Sequence, residues 1–238
     1  MAKQMEVAVV AGVGPGLGAA LCRTFVREGY HVVGLARRGE FGLDLAHELG
    51  KGSGKFTALQ CDVSDTVSVH AAFAQIERTA GSVCVYVHNA SHLLAKPFLE
   101  ITPEAFTDLW RVTCLGALNC AQKVIPGMLA RRRGVLLFTG ATASVRGGAG
   151  FAAFASAKFA LRGLTHSLAR EFGPHGIHVA HVVIDGIIWS ERTRMRPGLE
   201  EGACLMPEAI AETYLHLVRQ ERSAWTQELD LRPDREKF

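Results

Sequence analysis

The stretch that decides the fold is Val7-Ala-Val-Val-Ala-Gly-Val-Gly-Pro-Gly-Leu-Gly18, where a run of small and β-branched apolar residues leads directly into alternate glycines. The apolar run predicts a strand near 5–11, and the pattern after the glycines predicts a helix near 17–28. Glycine permits the tight turn that joins two such elements. A strand, a glycine turn and a helix in this order are typical of the first unit of an α/β fold.

The same alternation continues along the chain. Short β-branched runs predict strands near 30–36, 56–61, 83–88, 134–139, 177–184 and 224–230. Helical patterns lie near 41–50, 65–80, 103–131, 150–172 and 207–221. Parallel pairing requires crossover connections, which these helices supply. We predict a single α/β domain over residues 1–238, with a Rossmann-like, doubly wound, mainly parallel sheet of seven strands and helices on both faces.

One segment interrupts this alternation. Residues 190–206 include the polar and irregular run Ser190-Glu-Arg-Thr-Arg-Met-Arg-Pro-Gly198. The segment follows the sixth strand, and ligands bind at the carboxyl ends of strands in sheets of this kind. We therefore expect a flexible flap over a ligand site, and residues 91–100 and 187–206 to line a substrate pocket.

Composition narrows the class of protein. The 238 residues are 48% hydrophobic and 21% charged, which is typical of globular proteins. The formal charge of +3 is too small to indicate a nucleic-acid or membrane partner. No apolar run reaches membrane-spanning length, and the chain starts without a signal-peptide pattern. The six cysteines lack C-x-x-C spacing, which favours reduced thiols. We expect a cytoplasmic protein that binds a small molecule.

The glycine turn also predicts a cofactor site. Glycines let the backbone approach a pyrophosphate, and the following helix N-terminus offers N–H donors and a positive dipole end. The second predicted strand ends at Ala36-Arg37-Arg38, where an NAD-binding site usually has an acidic residue for the ribose 2′-hydroxyl. Two arginines could instead bind a 2′-phosphate, so we favour NADP(H) over NAD(H). The alternative is a solvated pair of loop arginines.

Three further motifs carry a family resemblance: Cys61-Asp62-Val63, His88-Asn89-Ala90-Ser91, and Phe154-Ala-Ser-Ala-Lys158. Together with the glycine turn they resemble the short-chain dehydrogenase/reductase family over nearly the whole chain. The resemblance implies a set of cofactor-binding positions: Gly12, Gly14, Pro15, Gly16, Leu17, Gly18, Arg37, Arg38, Asp62, Val63, Asn89, Ala90, Lys158, Gly186 and Ile188.

The catalytic motif is altered. In the family a Tyr, four residues before the Lys, protonates the substrate oxygen, a Ser polarises the carbonyl, and an Asn holds a water relay. Lys158 is retained, but the Tyr position is Phe154, the Ser position is Ala141 and the Asn position is Thr113. A family variant with its Tyr seven residues before the Lys meets Phe151 here, so that alternative also fails.

Substitute proton donors lie nearby in the sequence. Asp185 replaces the Pro of the family's Pro-Gly turn, and its carboxyl could hold a proton if burial raised its pKa; the alternative is a plain turn residue. His92 could be an acid, or a residue of a surface loop. Thr142 could donate a hydrogen bond to the carbonyl, or cap a helix or loop. Ser144 and Ser156 are further hydroxyls in the same region. The histidines lack the partners of a metal cluster, so we predict no metal.

Two functions remain open at this stage. The resemblance implies an NADP(H)-dependent oxidoreductase acting on a small carbonyl or enone substrate, with an atypical site. The alternative is a catalytically inactive NADP(H)-binding protein that acts as a sensor or assembly partner. As in many relatives, the helices near 103–131 and 150–172 could pair across a two-fold axis and give a homodimer or homotetramer.

Overall fold

A seven-stranded, entirely parallel sheet organises the molecule. The computed structural model describes residues 5–50 and 53–235, and its strands are ordered β3-β2-β1-β4-β5-β6-β7. The strands are β1 (Val7–Ala11), β2 (His31–Ala36), β3 (Lys55–Gln60), β4 (Val83–His88), β5 (Gly134–Thr139), β6 (Ile177–Ile184) and β7 (Glu228–Leu231). This confirms the predicted fold class.

Helices connect the strands. They are α1 (Leu17–Arg27), α2 (Glu40–Leu49), α3 (Thr66–Thr79), α4 (Pro103–Trp110), α5 (Gly116–Arg131), α6 (Ala152–Phe172), the single turn α7 (Glu191–Arg194) and α8 (Pro207–Arg219). None of the helices in the described ranges has the length and apolar character needed to cross a membrane.

Apolar packing covers both faces of the sheet. Side chains of α3, α5 and α6 form one buried cluster against one face. Side chains of α1 and α8 form a second cluster against the other face. Every residue of β1 and of β6 is buried, which explains why the sequence of β1 is a continuous apolar run rather than an alternating one.

The helix predicted over 103–131 is broken by a π-helical turn at Arg111–Leu115. The turn separates α4 from α5, and the Thr113 carbonyl within it lies 3.1 Å from His88 Nε2. A carbonyl only accepts hydrogen bonds, so the imidazole donates to it. Such local widening is common where a side chain inserts into the helical ladder, and short-range sequence patterns do not report it.

Two other predicted segments differ in detail. The last strand begins at Glu228 rather than near 224, because residues 222–224 form a 3₁₀ turn and the Trp225 ring stacks on His178 with 4.8 Å between ring centroids. The segment 190–206 is less irregular than expected. It contains α7 and a second 3₁₀ turn at residues 201–203, and the Ser190 side chain caps α7 by accepting from the Thr193 N–H.

Candidate functional site

Two adjoining cavities open at the carboxyl ends of the strands. The larger has a volume of about 930 Å³ and the smaller about 450 Å³. Both are bordered by Gly12, Gly14, Pro15, Asn89 and Ser91, so they meet where β1 and β4 lie side by side. The chain order of the sheet reverses at this pair, and such a switch point is where open α/β sheets bind ligands.

The glycine turn separates the two cavities. Gly12 has φ 91°, and a Cβ built on it would lie 2.5 Å from the Ala90 backbone nitrogen, so only glycine fits there. A Cβ on Gly18 would lie 2.6 Å from the Gly12 carbonyl oxygen. By contrast, a Cβ on Gly14 would meet nothing within 4 Å, so the backbone is open to a ligand.

The N-terminus of α1 faces this opening. Its N-cap residue is Gly16, and no side chain caps the helix. The turn itself is fixed from the next strand, because Asn89 Nδ2 donates to the Gly12 carbonyl over 3.0 Å. Uncapped N–H groups at the positive end of an 11-residue helix are suited to a phosphate or another anion.

Most of the residues predicted to bind the end of the cofactor that carries the 2′-phosphate border the smaller cavity. Arg37 and Arg38 both line it, together with Val63 and with Glu40 at the start of α2. Asp62 does not line either cavity. Its Oδ1 accepts from the Ser64 hydroxyl over 2.7 Å and from the Ser64 N–H over 2.9 Å, so it holds the turn after β3.

Lys158 lies at the inner end of the larger cavity. Its side chain is almost fully buried, and Nζ donates to the Thr139 carbonyl over 2.8 Å. Burial away from water lowers the pKa of this amine to about 8. Its ordinary pKa is 10.5, so burial brings the amine into a range where it exchanges protons near neutral pH.

The helical spacing brings Phe154 and Lys158 to the same face of α6. The ring centroid of Phe154 lies 5.7 Å from Lys158 Nζ, and both residues line the larger cavity. Ala141 lies on the opposite side, after β5. At the positions where the family resemblance implies a Tyr and a Ser, the chain has a benzyl ring and a methyl group, neither of which can donate a proton or a hydrogen bond.

Thr113 does not line either cavity; it is fully buried in the π-turn. Its hydroxyl lies 2.9 Å from the hydroxyl of Ser91, which borders both cavities. The Thr113 carbonyl accepts from His88 Nε2, and His88 Nδ1 then accepts from the Tyr86 hydroxyl over 2.8 Å. Burial lowers the pKa of His88 to about 3, so this imidazole is neutral.

The structure corrects the hypothesis that Asp185 holds a proton. Its Oδ1 accepts from the Thr142 hydroxyl over 2.6 Å, and its Oδ2 pairs with Arg232. Burial raises the pKa of this carboxyl, but the hydrogen bonds from Thr142 and Arg232 and the charge of Arg232 outweigh burial and lower it. Asp185 is therefore an ionised carboxylate, and the Thr142 hydroxyl already donates its hydrogen bond to it.

The other candidate donors are dispersed. The His92 side chain is exposed at the rim of the larger cavity, and burial of part of the ring lowers its pKa. Ser144 is buried, and its Oγ accepts from the Ala141 N–H over 3.1 Å. Ser156 is exposed on α6 and borders neither of the two cavities.

An ionic cluster lies behind the floor of the larger cavity. Glu228 on β7 accepts from Arg162 Nε over 2.7 Å and Nη2 over 2.6 Å, and from His181 Nδ1 over 2.9 Å. The hydrogen bonds from Arg162 have the largest effect on the pKa of Glu228, and those from His166 and His181 act in the same direction. Together they lower this pKa to about 2, although burial raises it. Burial also lowers the pKa of His181 to about 4.

The His181 ring reaches the cavity floor at Gly140. A Cβ built on Gly140 would lie 2.4 Å from His181 Nε2, so the glycine leaves the space that the imidazole fills. Gly140 itself lines the larger cavity. Short-range sequence patterns do not report this contact, because Gly140 follows β5 and His181 lies within β6.

Several lining residues were not singled out from the sequence. Arg146 lies between β5 and α6, while Arg192 and Arg196 lie in the segment after β6, and all three border the larger cavity. The arginine-rich composition of 187–206 pointed to the latter two. Ser190 approaches the glycine turn, since its Cβ lies 3.8 Å from a Cβ built on Gly16.

Comparison with known proteins is consistent with this architecture. Residues 6–198 match the family model described as short chain dehydrogenase. The oxidoreductase UcpA of Salmonella typhimurium is 32% identical over 175 residues; the alignment covers 73% of this chain and 66%, slightly under two thirds, of that relative.

Two solved structures cover almost the whole chain. A short-chain dehydrogenase from Rhodopseudomonas palustris has a TM-score of 0.83 at 35% identity, with 96% of this chain and 98% of the other covered. An alcohol dehydrogenase from the archaeon Thermococcus sibiricus, complexed with 5-hydroxy-NADP, has a TM-score of 0.88 at 25% identity, with 98% of each chain covered.

Proposed function

The chain belongs to the short-chain dehydrogenase family, and on that premise we propose that it is an NADP(H)-dependent oxidoreductase acting on a small carbonyl or enone substrate. The observation that carries the proposal is Lys158, a buried amine with a pKa near 8, placed in one cavity with an uncapped helix N-terminus. A group that exchanges protons beside a site suited to a phosphate-bearing cofactor supports this proposal.

The residues present fit a pyridine dinucleotide. Gly14 and Gly16 leave the backbone open, and the first turn of α1 offers N–H donors for a pyrophosphate. Arg37 and Arg38 line the adjoining cavity at the end of β2, where they would bind a 2′-phosphate. A structural neighbour complexed with 5-hydroxy-NADP also supports the phosphorylated cofactor.

Hydride comes from the cofactor, and residues of this chain would handle the proton. When bound, the nicotinamide supplies the hydride. Lys158 is the candidate proton source, since near pH 8 both its ammonium and its amine are populated. The benzyl ring of Phe154 shields this amine from water on one side and adds no proton of its own. Loss of a positioned acid costs roughly 10²–10⁴ in rate, so we expect an activated acceptor rather than an ordinary ketone.

A second candidate function rests on Phe154 and Ala141. With no phenol and no hydroxyl at these positions, the chain would bind NADP(H) without reducing a substrate. It would then act as a sensor or assembly partner. The cofactor elements serve both functions, so turnover is the discriminating property.

The first experiment measures cofactor binding. NADPH and NADH are titrated against the wild type and Arg37→Ala by nicotinamide fluorescence. We expect at least about tenfold weaker NADPH binding in the variant, because a charge-assisted contact is lost, and little change for NADH. Arg78→Ala, an exposed residue of α3, is the control. Failure of the wild type to bind either dinucleotide at millimolar concentration would refute both candidate functions.

The second experiment measures turnover. Consumption of NADPH is followed with a panel of aldehydes, ketones and enones for the wild type and Lys158→Met. Turnover that disappears in the variant supports the oxidoreductase. NADPH binding without turnover on any member of the panel supports the inactive candidate.

We also propose that the chain forms a homodimer or homotetramer. Phe106 and Trp110 on α4 and Phe159 on α6 expose apolar surface on the helices expected to pair. Light scattering on the purified protein tests this, and a monomer at micromolar concentration contradicts it.

A further inference from the structure

The larger cavity carries positive charge without matching negative charge. Its lining contains Lys158 and three arginines, Arg146, Arg192 and Arg196, and among the residues that the structure describes it contains no Asp or Glu. The whole chain is nearly balanced, with 26 Lys and Arg against 23 Asp and Glu. The excess in the cavity is therefore a property of this site and not of the composition.

The nearest carboxylate does not cancel this charge. Asp185 lies behind the cavity wall and already pairs with Arg232, while the Arg146 guanidinium is 4.0 Å from Asp185 Oδ1. Arg146 and Arg232 both lie beside Asp185, so these three groups together keep a net positive charge that one carboxylate does not cancel. About half of the Arg146 side chain is exposed, which leaves its N–H donors accessible from the cavity.

The arginines lie on two segments that border the same cavity. Arg146 belongs to the segment between β5 and α6, and Arg196 belongs to the segment that follows β6. Neither lines the smaller cavity, where Arg37 and Arg38 are placed. Arg192 is two residues from Ser190, whose Cβ lies 3.8 Å from a Cβ built on Gly16, so it is the arginine most suited to the cofactor's own phosphates.

Apolar side chains also line this cavity, beside polar ones such as His92 and Thr193. Leu93, Phe151, Phe154 and Ile187 border the same space. A ligand that fits this wall has an apolar or aromatic body and a charged group at one end. Guanidinium groups bind carboxylate and phosphate oxygens with paired, charge-assisted hydrogen bonds, and such bonds are stronger where water is partly excluded.

We propose that the substrate is an anionic carbonyl compound, bearing a carboxylate or a phosphate on an apolar body, whose anionic group binds between Arg146 and Arg196. The proposal rests on the proposed function, since it names the substrate class of the same site. In this proposal Arg146 and Arg196 recognise the anionic group of the substrate, away from the carbon that reacts.

Three probes that share one aldehyde test this assignment: 4-formylbenzoate, 4-formylphenyl phosphate and methyl 4-formylbenzoate. Each is titrated by calorimetry into the protein saturated with NADP⁺, which cannot reduce the aldehyde. We expect at least one anionic probe to bind about tenfold or more tightly than the neutral ester, which is the size expected for one charge-assisted contact. The stronger of the two anionic probes distinguishes carboxylate from phosphate recognition.

Variants connect the preference to the arginines. The preference for an anion is measured as the dissociation constant of the ester divided by that of the anionic probe. Arg146→Met and Arg196→Met should each reduce this ratio at least about threefold. The dissociation constants of the ester and of NADPH should not change. Arg146→Lys should retain part of the ratio, because it keeps the charge but not the paired donors. Arg111→Met, an exposed residue that borders neither cavity, is the matched control.

The outcomes separate the two proposals. If NADPH does not bind, the proposed function fails, whatever the probes do. If NADPH binds and the ester binds as tightly as both anions, the substrate assignment is overturned while the cofactor site stands. A preference for anions that survives in both methionine variants also overturns the assignment, because it then arises elsewhere in the site.

Discussion

Lys158 Nζ lies 5.7 Å from the centre of the Phe154 ring, on one face of α6 and against one cavity. The amine is buried and faces an inert ring where relatives of this family are expected to have a phenol. On the positions that the family resemblance implies, the chain has the ionisable partner and not the proton donor that it would activate.

Restoring the missing groups should raise turnover. We expect Phe154→Tyr combined with Ala141→Ser to increase the rate of NADPH oxidation by an aldehyde by roughly 10²–10⁴, the usual contribution of a positioned acid. Initial rates under saturating NADPH measure this. Phe159→Tyr, on the same helix but partly exposed, adds a phenol outside the cavity and should change nothing. A double variant no faster than the wild type would show that the site has been reshaped for another reaction.

The lowered pKa of Lys158 predicts a pH-dependent stability. Between the folded pKa of about 8 and the ordinary 10.5, the unfolded chain binds a proton that the folded chain does not. The free energy of unfolding contributed by this residue therefore rises with pH across that window, by at most about 3 kcal/mol.

The test compares urea denaturation of the wild type and Lys158→Met from pH 7 to pH 10.5. The wild type should gain stability relative to the variant as pH increases. Lys123→Met, an exposed lysine on α5, should follow the wild type. A constant difference between wild type and Lys158→Met over the whole range would mean that the amine is not titrating in this window.

Most of the fold was predictable because it depends on local patterns. The burial of β1 on both faces produces a continuous apolar run, and the glycine turn marks the first crossover. The shared face of Phe154 and Lys158 follows from helical periodicity. What the sequence did not show depends on distant contacts. The pKa of Asp185 depends on Arg232, which is 47 residues away, and the π-turn depends on a histidine of β4.

The Glu228 cluster predicts a loss of stability on neutralisation. Glu228→Gln removes the carboxylate that accepts from Arg162 and His181 and leaves a partly buried guanidinium without its charge partner. We expect this substitution to lower the free energy of unfolding by about 2 kcal/mol or slightly more. That is less than the cost of breaking a fully buried pair. The pKa of Glu228 is about 2 in the folded chain. The advantage of the wild type should be complete above the ordinary pKa of a glutamate, about 4.3, and should shrink as pH falls toward 2.

Urea denaturation between pH 2.5 and pH 7 measures this difference. Glu48→Gln is the matched control, because Glu48 accepts from Arg23 over 2.6 and 2.8 Å with the same two-bond geometry but at the surface. An exposed pair is worth at most about 1 kcal/mol. Equal costs for the two substitutions would contradict a special role for the cluster.

Gly140 predicts a steric coupling with His181. Gly140→Ala should lower the free energy of unfolding by about 1–3 kcal/mol, since its Cβ would lie 2.4 Å from His181 Nε2. His181→Ala removes that obstacle, so the double variant should be more stable than the sum of the single effects predicts. Gly147→Ala, where a Cβ meets nothing within 4 Å, is the control. Additive effects would show that the ring moves aside without cost.

The environment of Thr113 bears on how Lys158 exchanges protons with the solvent. In the family resemblance, the residue at this position supports a chain of waters leading away from the amine. Here its carbonyl binds His88 and its hydroxyl binds Ser91, and His88 is neutral. We therefore expect the mouth of the larger cavity, which Lys158 lines, to be the main path between the amine and bulk water. A ligand that fills this mouth would slow proton exchange at Lys158, so occupancy and protonation would be coupled through a single opening.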